Sequence, residues 1–456
     1  MTSNHELFSK LTPENISQFS KQLNASFLFD LIAFIEKSPP KMKFLIFKNL
    51  REEKAVSVFE YLSFGIQKEI LGKLPSERVA SLLNALSPDD RTALLEELPP
   101  HLMHLLLKYL SPEERALSIR LLGYPENSVG RLMTPDYLAI RVDWTVKEVL
   151  DYIRRYGHES ETVNVIYAVD EKGKLVDDFR IKQFLFASLD TKAEDLADHK
   201  FISLNVNDNE ENAINLFRKY ARIALPVVDA EGLMLGIVTI DDIMNASVAK
   251  DTEDIQKIGG TLAFKETYLQ IPILKLMRKR SGWLVVLFLG ELLTASAMGF
   301  FQDELSKAVV LALFLPLIIS SGGNAGSQAS ALLIRALALE EVQLRDWWRV
   351  VRREIFSGVF LGCVLGTIGF FRIIIWSLVF SMYGMHWLLV AFTVCFALIG
   401  VVLWGTLAGA TLPLLLKWCG FDPAVSSAPF VATLVDVTGI IIYFSVAMLI
   451  LRGTLL

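Results

Sequence analysis

Cysteine is scarce. Cys363, Cys395 and Cys419 are the only three in 456 residues, an odd number with wide spacing and no C-x-x-C, which excludes a disulfide framework and a cysteine zinc site. Histidine is nearly as rare: the six residues are scattered, only His386 falls in the carboxyl-terminal half, and no H-E-x-x-H helix is encoded, so a membrane metalloprotease is not expected. The first 25 residues, "MTSNHELFSKLTPENISQFSKQLNA", lack the apolar core of a secretory signal, so the amino terminus is expected in the cytosol. Acidic and basic residues balance from residue 281 onward, which leaves the whole net charge of −5 on the first 280. An acidic soluble half argues against a nucleic-acid partner and suits cations, though it equally suits an ordinary acidic domain.

What the chain has in abundance is apolar surface. Hydrophobic residues make up 52% of it and the mean hydropathy is +0.41, above the range of soluble proteins, so part of it belongs in lipid. Three regions follow one another: an all-helical amino-terminal domain, a duplicated α/β unit, and a helical transmembrane domain of five spans.

The first region, residues 1–130, repeats. Leu50, Leu62, Leu74, Leu86, Leu98 and Leu110 recur every twelve residues, and four of them open related phrases, "LPSERVASLL", "LSPDDRTALL", "LPPHLMHLLL" and "LSPEERALSI". That period is one short helix plus a turn. Ser87 and Ser111 precede Pro88 and Pro112, with Asp90 and Glu114 two residues further on. This is the order of an N-cap hydroxyl, a proline in the first turn and an acid at the positive helix end. A compact helical superhelix is expected. His101 and His104 share a helix face, but without nearby carboxylates they read as surface or packing residues rather than metal ligands.

The second region holds two copies of one unit, 131–195 and 196–250. "IRVDWTVKEVLDYIRR" aligns with "LNVNDNEENAINLFRK", and "YAVDEKGKLV" with "PVVDAEGLML". Each copy predicts an opening strand, a capped amphipathic helix and two apolar strands around a turn at Gly173 or Gly232. The pair resembles tandem cystathionine-β-synthase (CBS) domains, and the second copy, ending "GIVTIDDIM", matches better. That resemblance implies an adenosine-ribose contact for Thr239 and Asp242, with ATP or another adenosine nucleotide as ligand. The first copy has Arg180 and Gln183 at the aligned places, and a dimerisation module without nucleotide remains the alternative.

The third region, 281–456, carries apolar stretches at about 282–301, 307–334, 355–381, 386–416 and 428–451, each long enough to span a bilayer, two of them long enough to need tilt or breaks. Basic residues gather before the first span and between the second and third, whereas "FQDELSK" and "SMYGMHW" are poor in Lys and Arg. Five spans with cytosolic basic loops place the amino terminus inside and the carboxyl terminus outside.

Ionisable groups inside a span cost roughly 2.5–3.5 kcal/mol at a helix centre, so each calls for a partner, water or a bound ion. Asp436, in "SSAPFVATLVDVTGIIIYF", shares a helix face with Ala432 and Gly439, and Pro429 opens the backbone near the helix start. Backbone oxygens and an ion can approach such a carboxylate closely. In "PLIISSGGNAGSQASALLIRA", Ser320, Asn324 and Gln328 form a polar stripe beside Gly322, Gly323 and Gly326. These residues line an oxygen-rich path, or else they serve helix packing. Glu291 and Arg372 are expected to pair with each other inside the bundle. A donor set of carboxylate, amide and carbonyl oxygens suits Mg2+, Ca2+ or Mn2+ rather than copper or zinc, and Mg2+ commonly uses only one or two carboxylates.

The helical domain, the paired CBS units, an acidic linker at 251–280, and five spans with "P-x-x-x-x-x-GGN-x-G-x-Q" and "SAPFVATLVDVTG" together resemble the MgtE family of magnesium transporters over essentially the whole chain. The resemblance implies a homodimeric Mg2+ channel in the cell (inner) membrane, not an enzyme, with its pore on the dimer axis. It implies that Asp436 holds a hydrated Mg2+, that the Ala432 carbonyl contributes to its shell, and that Asn324, Gly323 and Gly326 form the adjoining wall. It further implies closure by cytosolic Mg2+ bridging carboxylates, here Asp241, Asp242, Asp251, Glu253 and Asp254, so that a linker (plug) helix covers the pore. Asn245 and Lys250 stand where relatives often carry acids, so closure is expected to need more cytosolic Mg2+ than in those relatives. A CBS-regulated divalent cation carrier or exchanger is the competing expectation.

Overall fold

The computed structural model describes residues 11–264, 268, 271–380 and 383–455. The first ten residues, parts of the 251–280 linker and part of "SMYGMHW" therefore lie outside the described residues. The chain divides into two compact units, Met1–Val248 and Ala249–Leu456.

In the first unit the twelve-residue period becomes a chain of short helices: Pro40–Lys48, Glu52–Glu60, Phe64–Leu71, Ser76–Ala85, Pro88–Glu96, Pro100–Leu107 and Pro112–Leu122. Leu50, Leu62, Leu86, Leu98 and Leu110 are buried at the turns between them, and Leu74 packs partly buried against the same core. Each helix is too short to stand alone and is held by this shared leucine core. Ser111 caps its helix by accepting the Glu114 N–H at 3.2 Å. Ser87 does something else: its hydroxyl donates to Asp90 at 2.9 Å. His101 and His104 are exposed.

The duplicated α/β units follow. Strands β1 (Ala139–Arg141), β2 (Val165–Val169) and β3 (Leu175–Arg180) form one sheet, and β4 (Leu204–Asn205), β5 (Ala224–Val228) and β6 (Met234–Thr239) the other. In both, the first pair is parallel and the second antiparallel, with a bulge at the same place in the middle strand, Ala168/Val169 and Val227/Val228. Gly173 and Gly232 turn the two hairpins with φ of +78° and +82°, a region glycine enters without strain. The hairpin tips meet, Leu175 N–H donating to the Gly232 carbonyl and Met234 N–H to that of Gly173, each at 3.1 Å. The helices Val146–Tyr156 and Glu210–Tyr220 are capped by Thr145 and Asn209.

A single helix, Ile240–Ile258, leaves the second CBS copy and crosses the boundary between the units. Among the described residues the second unit contains five helices long and apolar enough to span a membrane: Ile273–Phe300, Val309–Ala338, Leu344–Phe380, Trp387–Trp418 and Ala428–Leu451. The second of these breaks: Val309–Phe314 is a tight 3-10 turn, and the α-helix Leu315–Ala338 restarts with Pro316 in its first turn. The fourth span packs against the second, third and fifth, and the first span packs on the fifth. Glycines set the closest approaches. Gly405 faces Gly322 and Gly409 faces Gly326, so close that a side chain at either place would strike the opposing backbone.

Candidate functional site

Asp436 sits half-buried in the fifth span, on the side facing Gly323 of the second. A β-carbon at Gly323 would lie 3.5 Å from that of Ala432 and 3.6 Å from Asp436 Oδ1, so the bare glycine leaves the carboxylate open on that side. Three residues named from sequence, Asp436, Ala432 and Gly323, are thus brought together. Asn324 follows Gly323 and is exposed on the protomer, as are Ser320 and Gln328; the Asn324 amide lies 3.4 Å from the Ser320 hydroxyl. Gly326 is placed elsewhere. It packs against the Gly405 carbonyl and Val431, so it fixes the distance between the second and fourth spans and does not face Asp436. Two further serines of the polar run also serve packing: Ser327 donates to the Ala428 carbonyl at 3.1 Å and Ser330 to that of Ser426 at 2.9 Å. Path and packing readings therefore divide the run residue by residue.

The expected Glu291–Arg372 ion pair does not form. The Arg372 guanidinium lies over the Trp376 ring at 5.2 Å and beside the Tyr383 hydroxyl at 3.5 Å. Glu291, in the first span, faces the fifth. The correction is topological, since the first span packs on the fifth and the third on the fourth.

The acids named in the linker segment fall into two groups. Asp241 and Asp242, in the first turn of Ile240–Ile258, line a cavity of about 210 Å³ together with Glu60, Asp89, Asp90 and Glu161. None of these last four was singled out as a ligand from sequence; the signal was the paired acids at helix starts, such as Asp89–Asp90 in "LSPDDRTALL". Burial, then neighbouring carboxylates, raise Asp242 to about 9, Asp90 to about 8 and Glu161 to about 7. Asp89 and Glu60 are raised for the same first reason. Buried acids facing one another oppose ionisation unless a cation joins them. Six carboxylates with Asn245 and Ser87 on the wall fit a hard divalent cation. Among the described residues no group of three or more His, Cys, Asp or Glu side chains is arranged to hold a metal ion directly.

Glu253 and Asp254 belong to the second group, where the countercharges are lysines. Lys257 Nζ lies 2.5 Å from Glu253 and 2.7 Å from Asp422, and Lys250 lies 3.4 Å from Asp254. Half-burial opposes ionisation of Asp422, yet Lys257, the Ala424 N–H and Lys250 hold its carboxyl below the usual carboxylate range. Asp251 lies on the same helix, one turn before Ile255.

Thr239 is buried at the end of β6, its hydroxyl 2.5 Å from Asp241 Oδ1 and 2.6 Å from Asp242 Oδ2. In the first CBS copy Gln183 is used otherwise, accepting the Arg180 N–H at 2.7 Å to cap the helix Ile181–Phe186.

Comparison with known proteins bears on each of the three regions. A family model described as a divalent cation transporter, MgtE, matches residues 315–446, the MgtE intracellular N domain matches 28–127, and the CBS domain matches 129–189 and 193–249. The magnesium transporter MgtE of Thermus thermophilus is 38% identical over 333 residues, covering 73% of this chain and 72% of its own. The magnesium transporter MgtE of Enterococcus faecalis is 31% identical, covering 73% and 71%. A crystal structure of the cytosolic domain of the Mg2+ channel MgtE in complex with ATP is 33% identical, covering 50% of this chain and 93% of that one, with a TM-score of 0.48. With its five apolar helices and its CBS pair, the chain is a multi-pass membrane protein belonging to the MgtE family of magnesium transporters.

Proposed function

We propose that this chain conducts Mg2+ as a homodimeric channel, the Asp436 carboxylates of two protomers facing a shared water-filled path. The observation that carries this reading is the contact of Asp436 with Gly323 and Ala432, which leaves a carboxylate accessible inside an apolar bundle. A largely hydrated Mg2+ held through its waters needs little more than such a group on either side, with the Ala432 carbonyl and Asn324 as further oxygen donors. The exposed stripe of Ser320, Asn324 and Gln328 supports the dimer, because amides facing lipid are costly and a second copy across a two-fold axis would cover them. Basic loops favour an inner-membrane topology with the amino terminus in the cytosol and the carboxyl terminus outside.

Cytosolic Mg2+ closes the channel in this reading by binding among the carboxylates of the acidic cavity, Asp241 and Asp242 included. The ion stabilises whichever arrangement holds those carboxylates together. Asn245 on the cavity wall and Lys250 beside Asp254 reduce the number of available acids, so closure needs higher Mg2+ than in relatives with the full set. Nucleotide binding at the second CBS copy would require Asp242 to exchange its contact with Thr239 for a ribose hydroxyl. Neither an enzymatic reaction nor a nucleic-acid partner enters this reading.

Reconstitution in liposomes provides the test. The reversal potential should follow the Mg2+ gradient alone, and Mg2+ added on the cytosolic side should reduce the current. A reversal potential that shifts with a second cation gradient in fixed stoichiometry would instead establish the exchanger.

A further inference from the structure

We propose that Glu291 is a specificity-determining residue of the ion path, a second carboxylate that sets discrimination between divalent and monovalent cations. This rests on the reading of Asp436 as a pore residue. Glu291 lies near the middle of the first span, Ile273–Phe300, where only a strong reason keeps an acid. Its neighbour Gly290 marks the close approach to the fifth span: a β-carbon there would lie 2.7 Å from Thr433 Cγ2. That contact brings the Glu291 carboxyl within 3.5 Å of the Thr433 hydroxyl and near enough to the Asp436 carboxyl for the two to repel. Thr433 already donates to the Pro429 carbonyl at 3.1 Å, so its hydroxyl does little to neutralise Glu291.

The countercharge is what the structure withholds. Among the described residues neither Glu291 nor Asp436 has an ion pair with Lys, Arg or His, and Arg372, the nearest candidate by sequence, is engaged with Trp376 and Tyr383. Two neighbouring carboxyls on apolar spans, Glu291 exposed on the protomer and Asp436 half-buried, without a protein cation, draw their compensation from what passes through. Coulomb attraction scales with the product of charges, so a second site charge strengthens the hold on a divalent ion twice as much as on a monovalent one. Glu291 thereby adjusts valence selectivity while Asp436 remains the pore ligand.

Full-length protein in liposomes, with Mg2+ and K+ on opposite sides, tests this. Glu291→Gln keeps size and hydrogen-bonding capacity but removes the charge. It should lower the Mg2+-to-K+ permeability ratio by roughly tenfold, a change of about 1.4 kcal/mol, and raise the half-saturating Mg2+ concentration. Glu291→Asp, which keeps the charge, should retain the ratio to within about threefold, and it serves as the readout should the Gln variant fail to assemble. An unchanged ratio in Glu291→Gln, or a loss in Glu291→Asp as large as in Glu291→Gln, would overturn the proposal. Asp436→Asn separates the two claims: if it loses Mg2+ current while Glu291→Gln keeps the wild-type ratio, only the role of Glu291 fails. If Asp436→Asn itself keeps wild-type selectivity, the pore reading fails.

Discussion

The two ends of the helix Ile240–Ile258 handle the same problem differently. At its start, Asp241 and Asp242 join four other acids around a cavity, and burial among like charges raises Asp242 and Asp90 far above the ordinary carboxylate range. Near its end, Glu253 and Asp254 are met by Lys257 and Lys250, and Lys257 also reaches Asp422 in the turn before the fifth span. Carboxylates met by lysines need a metal less, although burial still raises Asp254 beside Lys250. Those without depend on protons or an external cation, so sensitivity to cytosolic Mg2+ is expected at the first end of the helix.

Neutralising the first end should have the largest effect. In full-length protein, Mg2+ at ten times its dissociation constant should slow proteolysis within residues 11–248 on the order of tenfold. The double variant Asp89→Asn, Asp242→Asn should be protected without Mg2+, the difference shrinking to within about twofold. A double variant that still needs Mg2+ for protection would place the sensor elsewhere.

Acidity should imitate the metal at this end more than at the other, where among the lysine-paired acids burial raises Asp254. Burial and neighbouring carboxylates push Asp242, Asp90 and Glu161 up to about 9, 8 and 7 in the closed cluster, from ordinary values of 3.8, 3.8 and 4.5. The cluster therefore binds more protons than its opened form, and its stability is full at low pH and lost as pH rises through 7 to 9. Metal-free protein should become more protease-sensitive between pH 6 and pH 9, and saturating Mg2+ should flatten that dependence. A metal-free profile that is level over this window, or that slopes the other way, contradicts the assignment.

At the second end, Lys257→Ala leaves Glu253 and Asp422 facing each other. The groups are partly exposed, so screening holds the expected cost to about 1 kcal/mol. Hydrogen exchange over residues 249–258 should quicken several-fold, and Mg2+ should partly restore protection that in wild type is independent of it. Lys250→Ala is the mildest change. Its 3.4 Å contact with Asp254 is an i,i+4 helix pair worth about 0.3–0.5 kcal/mol, and an exchange change much above twofold would show that Lys250 does more than pair locally.

Periodic and duplicated features are legible in the sequence alone. The twelve-residue leucines are core residues because each closes a turn between helices too short to fold alone. Gly173 and Gly232 turn two equivalent hairpins, and Asp436 with the glycine-rich stretch came from the cost of polar atoms in lipid. The acidic cavity was not legible, because Glu60, Asp89, Glu161 and Asp242 come from elements far apart in the chain, and each alone looks like a solvated surface acid. The resemblance places Gly326 in the pore wall without saying which neighbour it faces; within the protomer it packs against the fourth span at Gly405 and Gly409. The Glu291–Arg372 pairing failed for a similar reason, since charge complementarity says nothing about which spans touch.

Recording Mg2+ current from Asp436→Asn beside wild type, at equal membrane expression, tests the central claim most directly. Removing this one charge per protomer should abolish Mg2+-selective current. Wild-type current with unchanged ion preference would contradict it.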